Sequence, residues 1–293
     1  MLIHYQMIQI EAWDFLKMTP ATKYINGLPE KTFEVLAREN ALQIKVNGRA
    51  YSVTMCSPSN NIILAVGLLY TEGILQKTSD IINITEESDE QDKQVLAVNV
   101  NVHTEALEGK NLWNRSIASS ASCGVCGKTE TYDIYHKSQA LETTEKLDIT
   151  CVPELLREMR SRQSTFDETG GTHSAALFAI DGTMLSVQED IGRHNAVDKT
   201  IGELFLSSTL PKADILAVSG RVSYEIVSKC AMANIPFLLA VSAPSSMAVE
   251  VCNEKGITLI AFCRENRATV YTNQQHVISP RSLQSGRANG VKA

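Results

Sequence analysis

A chain of 293 residues that is 44% hydrophobic and 20% charged can bury a real core in one large or two ordinary domains, which excludes a disordered, collagen-like or fibrous protein. Lysine and arginine total 27 against 33 for aspartate and glutamate, so the net charge is −6 and the basic footprint of a nucleic-acid binder is missing. The longest apolar stretch, Ile62 to Tyr70, is nine residues where a membrane span needs ~18, and the amino terminus lacks a basic start, an unbroken apolar core and a small-residue cleavage site; a soluble, cytoplasmic protein is expected.

In chain order, Leu42, Ile44 and Val46 alternate, Asn47-Gly48 offers a two-residue turn, and Tyr51, Val53 and Met55 alternate again, which predicts a hairpin. Ser59 then precedes Ile62, Ala65, Val66 and Leu69 at helical spacing, with Gly73 as a stop. Two extended runs, Ile81 to Thr85 and Val95 to Val102, flank the acidic stretch EESDEQDKQ, which reads as a solvated loop. From Arg115 to about Thr150 the Ser- and Gly-rich segment SIASSASCGVCGKTETYD predicts a mobile connection. Pro153 then opens a helix whose buried face is Leu155, Leu156 and Met159.

The last 140 residues alternate strands and helices. Ala175 to Ile180 and Met184 to Val187 pair across Asp181-Gly182, and a helix follows from about His194 to Leu206. Strands at Ile215 to Ser219, Phe237 to Val241 and Ile257 to Phe262 are interleaved with helices ending at Ala233 and Lys255; Ala268 to Tyr271 adds an edge, and the tail beyond Thr272 is expected to fray. Such alternation predicts parallel strands with crossover helices, hence an α/β domain.

Three strand-to-helix junctions carry small or polar residues: Asp190 to Arg193, Ser219 to Ser223 and Ser242 to Ser246. In a parallel sheet they share one edge, where helix N-termini favour phosphate-bearing ligands, and Arg193, Arg221, Arg264 and Arg267 would gather positive charge there. Serine and glycine at such positions also serve simply as helix caps. No Walker loop or G-x-G-x-x-G is present.

Seven cysteines contain one close pair, Cys123-Gly-Val-Cys126, followed by Gly127-Lys128. Two thiols three positions apart can meet, and a nearby lysine lowers a thiol pKa, which makes a nucleophile. The same pair is half a tetrahedral zinc site that a distant His173 could complete, although no second close pair exists. A thioredoxin-type motif opens a helix after a strand, and here it sits in a polar connection. His194 and Asp198, four apart on a helix, can hydrogen-bond each other, and His173 or His194 can move protons near a cysteine. A carboxylate-held histidine packing a helix start is the plainer reading. Cys230 and Cys252 are expected in the core.

Taken in order, SCGVCGK (122–128), GGTHSAALF (170–178), EDIGRHNAVDKTIG (189–202), SGRVSYEIVSKCAM (219–232), SAPSSMAVE (242–250) and ITLIAFCRENRATVYT (257–272) resemble the FdhD family, the formate dehydrogenase accessory sulfurtransferases. The resemblance covers nearly the whole chain, including Tyr51 to Gly73. It implies an α/β fold, α+β overall: a small β-rich domain at 1–115, a flexible connection at 116–150 carrying C-x-x-C, and a cytidine-deaminase-like three-layer α/β domain at 151–293 with a polar tail. It implies a sulfurtransferase that takes sulfur from a cysteine desulfurase as a persulfide on Cys123, with Cys126 aiding the relay. The acceptor is the bis(molybdopterin guanine dinucleotide) molybdenum or tungsten cofactor of formate dehydrogenase, bound as substrate, which a guanine nucleotide can mimic. The family's cofactor-contacting loop matches Phe262, Cys263, Arg264, Glu265, Asn266 and Arg267, and family members are homodimers. Family members often carry a glycine in that loop; Asn266 is the residue here best able to take a left-handed backbone. The deaminase pairing of H-x-E with P-C-x-x-C is absent, His173 being followed two positions on by Ala175. The rivals from other classes are a non-catalytic cofactor chaperone with structural or metal-binding cysteines, and a dithiol oxidoreductase.

Overall fold

In the computed structural model, which describes residues 16–89, 94–110 and 140–279, the first element is a hairpin that the pattern above does not single out. Strands β1 (Leu16–Ile25) and β2 (Leu28–Ala37) pair antiparallel about Asn26-Gly27, at φ 51° and 84°. Asn-Gly between two extended runs is the local signal for it. Pro20 and Pro29 interrupt the runs, and the apolar side chains of Met18, Tyr24 and Phe33 stay exposed, so the usual buried alternation is missing.

Strands β3 (Asn40–Val46) and β4 (Arg49–Cys56) form the predicted hairpin across Asn47-Gly48, both at positive φ. A register shift after Ile44 changes the phase of β4, so Tyr51, Thr54 and Cys56 are buried in place of the expected Tyr51, Val53 and Met55. Strands β5 (Ile81–Ser88) and β6 (Val95–Val102) complete a sheet of order β4-β3-β6-β5. The acidic stretch is thus partly strand: β5 runs on through Glu86 and Glu87, and Lys45 Nζ holds Glu87 at 2.7 Å. Helix α1 (Asn61–Thr71), one of the helices predicted, is capped by Asn60 in a left-handed conformation, not by Ser59.

After β7 (Leu147–Asp148) come α2 (Val152–Ser161), with Pro153 in its first turn and Val152, Leu155, Leu156 and Met159 buried, and the short α3 (Ser164–Thr169). The second sheet has the order β13-β12-β11-β10-β8-β9 and comprises β8 (His173–Phe178), β9 (Met184–Asp190), β10 (Ile215–Val218), β11 (Phe237–Ala240), β12 (Thr258–Arg264) and β13 (Arg267–Val270). The connecting helices are α4 (Arg193–Leu206), α5 (Tyr224–Met232) and α6 (Ser246–Lys255). The β10–β11 and β11–β12 pairs are parallel, as the alternation predicts, while β8 pairs antiparallel with both β9 and β10 and β13 antiparallel with β12, so the sheet is mixed. The β8–β9 and β12–β13 connections are too short to hold a crossover, so they turn back as hairpins.

The sheet is covered on both faces. Ala175, Leu177, Leu216, Val218, Leu238 and Ala240 pack toward α4, α5 and α6, while Ala176, Phe178, Ile215, Ala217, Phe237 and Leu239 pack toward α2. This period-two division builds three layers, α/β/α, and the mixed α/β class is as expected. Helix α1 lies between α4 and the four-stranded sheet, so one apolar cluster joins both sheets. Its approach to α4 depends on two glycines: a Cβ on Gly67 would lie 1.8 Å from the Asp198 carbonyl oxygen, and one on Gly202 would lie 2.0 Å from that of Ile63.

Two segments expected to be loose are anchored. Leu141 N donates to Lys255 O at 2.8 Å, and β7 pairs in parallel with β14 (Val277–Ile278), which ties the end of the 116–150 connection and the tail beyond Thr272 to each other. Buried Leu147 supplies the apolar reason for the first. Among the described residues no helix is long and apolar enough to cross a membrane.

Candidate functional site

Strand β9 runs antiparallel to β8, which runs antiparallel to β10, so β9 through β12 all end at one edge although the sheet is mixed. The three predicted junctions and the 262–267 loop therefore converge, joined by His173 at the start of β8. Hydrogen bonds stitch them side by side. Ser174 N donates to Ser219 Oγ at 2.9 Å, Val222 N to Ala243 O at 3.0 Å, Ser245 N to Val222 O at 2.9 Å and Phe262 N to Ser242 O at 3.2 Å.

The first junction is held from beneath by Asp190, whose carboxylate is fully buried. Its Oδ1 accepts from Gly192 N (2.8 Å) and Asn195 Nδ2 (2.9 Å); its Oδ2 accepts from Ser57 N (3.1 Å) and Lys199 Nζ (2.6 Å). Asn195 also donates to Met55 O at 2.8 Å, and Ile191 N donates to Ser57 Oγ at 3.0 Å. The end of β4 thereby fixes the start of α4. Sequence reasoning passes over Asp190, Asn195, Lys199 and Ser57 in this role, because a buried pair formed 133 residues apart along the chain leaves no local pattern.

The expected His194–Asp198 hydrogen bond does not form. Asp198 instead binds Lys229 Nζ through both oxygens at 2.7 Å and accepts from Thr71 Oγ1 at 2.8 Å, so its carboxylate is taken up by a buried ammonium and a hydroxyl. His194 Nε2 faces Ser223 Oγ at 3.4 Å and Glu225 Oε2 at 3.9 Å. Burial pushes the Glu225 carboxyl up, but a hydrogen bond from Ser223 with the charges of His194 and Arg193 outweighs it and leaves the group below its usual range. Glu225 is the acidic member of this edge that the motifs do not reveal.

His173 and Arg193 meet over Gly220: a Cβ there would stand 3.3 Å from His173 Nδ1 and 3.4 Å from Arg193 Cβ. Burial, then the charges of Arg193 and Arg221, holds the His173 pKa below the ordinary imidazole value against an opposing pull from Asp190.

In the 262–267 loop the left-handed residue is Phe262, at φ 51°, and not Asn266, which lies in the tight turn joining Arg264 to its cross-strand partner Arg267. The ladder shifts register between Ala261 and Arg264, and this irregularity puts Cys263 on the same face as Ile260, against α2, while Phe262 stands 36% exposed at the edge. A bulky residue in that backbone region is strained by roughly 1–2 kcal/mol, the kind of outlier that accumulates at functional edges. Arg264 Nη1 donates to Val241 O at 2.6 Å, which spreads the loop along the neighbouring junction. Glu265 and Asn266 are exposed at the tip. Removing Phe262 outright should restore the plain alternation and turn the Cys263 thiol outward. Alkylation of native protein is then expected to reach Cys263 in the deletion and to spare it in Phe262→Leu; equal protection in both would refute the bulge's role.

Cys123 and Cys126 lie outside the described residues. Burial is the first cause of a raised thiol pKa at each of the other five cysteines: Cys56 and Cys252 are pushed up to about 12, Cys263 to about 11, and Cys151 and Cys230 are raised as well. At Cys56 the charge of Asp190 adds to it. Cys230 and Cys252 are core residues, as expected. Among the described residues no group of three His, Cys, Asp or Glu side chains is arranged to hold a metal ion.

Comparison with known proteins agrees with this architecture. The chain is 41% identical over 250 residues to the sulfur carrier protein FdhD of Mycolicibacterium paratuberculosis, an overlap of 83% of this chain and 92% of the relative. It is 35% identical over 263 residues to the sulfur carrier protein FdhD of Sulfolobus acidocaldarius, covering 89% and 98%. A solved structure from Desulfotalea psychrophila, described as a formate dehydrogenase accessory protein, superposes with a TM-score of 0.72 at 22% identity, over 90% of this chain and all of that one, and shares the fold. The profile of the FdhD/NarQ family matches residues 37–278, and with these identities it establishes that the chain belongs to that family.

Proposed function

We propose that this protein is a sulfur carrier in the maturation of formate dehydrogenase, the role for which its relatives are named. In this reading it works as a cytoplasmic homodimer. Cys123 attacks the terminal sulfur of a desulfurase persulfide; a sulfur–sulfur bond forms at Cys123 as the desulfurase bond breaks, and the desulfurase cysteine leaves as thiolate. Attack by Cys126 on the inner sulfur of Cys123 then releases hydrosulfide toward the cofactor metal, the dithiol supplying both electrons and ending as a disulfide.

The observation that carries this reading is the state of the other thiols. Of seven cysteines, the five described are all raised by burial, and a carrier must present an accessible, readily deprotonated sulfur. That leaves the C-x-x-C pair. The shared edge of β9 through β12, with three helix N-termini and the arginines of the 262–267 loop, offers the acceptor side: a surface suited to a large phosphate-bearing pterin substrate.

Intact mass after incubation with a cysteine desulfurase and cysteine tests the carrier step. The wild-type chain should gain one sulfur atom, and Cys123→Ala should gain none. An unchanged wild-type mass would favour a chaperone that binds the cofactor without carrying sulfur.

A further inference from the structure

Two tight turns of this chain carry the same dipeptide in the same backbone shape and differ in what holds them. Asn26-Gly27 joins β1 to β2 and Asn47-Gly48 joins β3 to β4, and all four residues have positive φ: 51° and 84° in the first turn, 49° and 77° in the second. Asparagine before glycine is the pairing that a two-residue hairpin favours. It is also the pairing in which a backbone nitrogen most easily reaches the preceding side-chain amide carbon, because glycine has no side chain to block the approach.

At Asn47-Gly48 both reacting groups are taken. Asn47 Nδ2 donates to Val102 O at 3.2 Å, its Oδ1 accepts from Val102 N at 2.7 Å, and its backbone N donates to Val100 O at 3.2 Å. Gly48 N donates to Asn99 Oδ1 at 2.8 Å. Asn99 is aligned in turn, since its Nδ2 donates to Asn101 Oδ1 at 3.1 Å and Asn101 Nδ2 donates to Asn83 Oδ1 at 2.7 Å. The amide and the nitrogen that would attack it are both pinned to β6, an interior strand of the four-stranded sheet.

At Asn26-Gly27 neither group is held. Among the described residues the Asn26 side chain and Gly27 N have no hydrogen-bond partner, and a Cβ on Gly27 would meet nothing within 4 Å. Every residue from Thr22 to Lys31 is exposed, so no packed neighbour resists opening of the tip, and a two-stranded hairpin is marginally stable by itself.

We infer that Asn26-Gly27 is a site of spontaneous covalent modification that converts Asn26 to aspartate and isoaspartate in the folded protein, while hydrogen bonding protects Asn47-Gly48. Opening of the tip lets Gly27 N, its proton passing to solvent, attack Asn26 Cγ. A carbon–nitrogen bond forms, the bond from Cγ to Nδ2 breaks, and Nδ2 leaves as ammonia, which closes a five-membered imide. Water then adds to one of its two carbonyls. Addition at Cγ breaks the new bond and gives aspartate; addition at the backbone carbonyl carbon breaks the original peptide bond and gives isoaspartate. No electrons are exchanged, and water is the only co-reactant.

The two products differ in what they do to the arm. Each adds one negative charge to the net −6 of the chain. Aspartate keeps the turn, since Asp-Gly favours the same geometry. Isoaspartate routes the chain through its side-chain carbon, which lengthens the loop and misfits the pairing of Ile25 with Leu28. Alternation along the paired strands sets Met18, Tyr24 and Phe33 on one face of the hairpin and Lys17, Lys23 and Glu30 on the other, so the isoaspartyl form loses the register that keeps these faces apart. Sulfur uptake at Cys123 has no part in this chemistry.

Peptide mapping of the full chain tests the site. Folded protein is held in mildly alkaline buffer, sampled over time, digested with trypsin and weighed by mass spectrometry. Cleavage after Lys23 and Lys31 isolates Tyr24–Lys31, and cleavage after Lys45 and Arg49 isolates Val46–Arg49. Tyr24–Lys31 should gain the mass difference between an amide and an acid and separate into two products of equal mass, and Val46–Arg49 should convert at least about tenfold more slowly. In urea, with neither turn formed, the two should convert at similar rates. Asn99→Ala, which takes the acceptor from Gly48 N, should speed conversion at Asn47 and leave Asn26 unchanged. No conversion at Asn26 in the folded chain, or a rate at Asn47 equal to or above it, would overturn the site. An unaltered rate at Asn47 in Asn99→Ala, with its unfolding midpoint near wild type, would overturn the protection assigned to that hydrogen bond.

Discussion

Asp190→Ala is expected to lower the unfolding free energy by about 3–5 kcal/mol, the range for removing one partner of a buried ion pair. Lys199 would keep its ammonium with no exposed surface, and Gly192 N, Asn195 Nδ2 and Ser57 N would lose their acceptor at the same time. The cost arises from stranded groups more than from a lost attraction, so the pair Asp190→Leu with Lys199→Met should cost less than the sum of the single variants. It should not return to wild type, because the three backbone and amide donors stay unsatisfied. Urea unfolding monitored by circular dichroism measures all five proteins, wild type included. A single-variant loss below about 1 kcal/mol would show that water or a shifted side chain replaces the carboxylate.

Gly67→Ala is the second large effect. In an exposed helix this exchange stabilises by roughly 1 kcal/mol, since alanine is the better helix former. Here the new methyl would sit 1.8 Å from the carbonyl oxygen of Asp198, a backbone atom that no rotamer change can move aside. Helices α1 and α4 must separate, and both the apolar cluster between them and the Thr71–Asp198–Lys229 network are stretched. A loss of about 3 kcal/mol is expected, at the upper end for overpacking. Gly202→Ala, whose methyl would meet Ile63 O at 2.0 Å, should behave alike, and the double variant should cost less than twice as much because one separation accommodates both methyls. Thermal unfolding at or above the wild-type midpoint in either variant would refute this close crossing.

Local chemistry made the alternating half of the chain readable. Pro153, the strand pair around Asp181-Gly182, and the strands ending near Ser219, Val241 and Phe262 are each marked by periodicity and a turn or cap residue, and each is found within a few residues of its expected place. The gathering of junctions at one edge was readable too, though it survives for a reason the pattern does not contain: two reversals, β10 to β8 and β8 to β9, cancel. What stayed hidden depends on partners distant in sequence. Asp198 looks like a companion for His194 until the fold brings Lys229 to it. Asn266 looks like the left-handed residue until the register shift in β12 places that backbone at Phe262. The β1–β2 hairpin escaped because its apolar side chains are not buried, and burial is what periodicity reports.

The irregularity at Phe262 sets what kinds of inherited change this edge can absorb. Inside-versus-outside parity along the end of β12 is decided by the number of residues, not by which residues they are, so side chains at the tip are free to drift while insertions and deletions are purged. Among descendants of this gene, the segment should diversify in letters and hold its count.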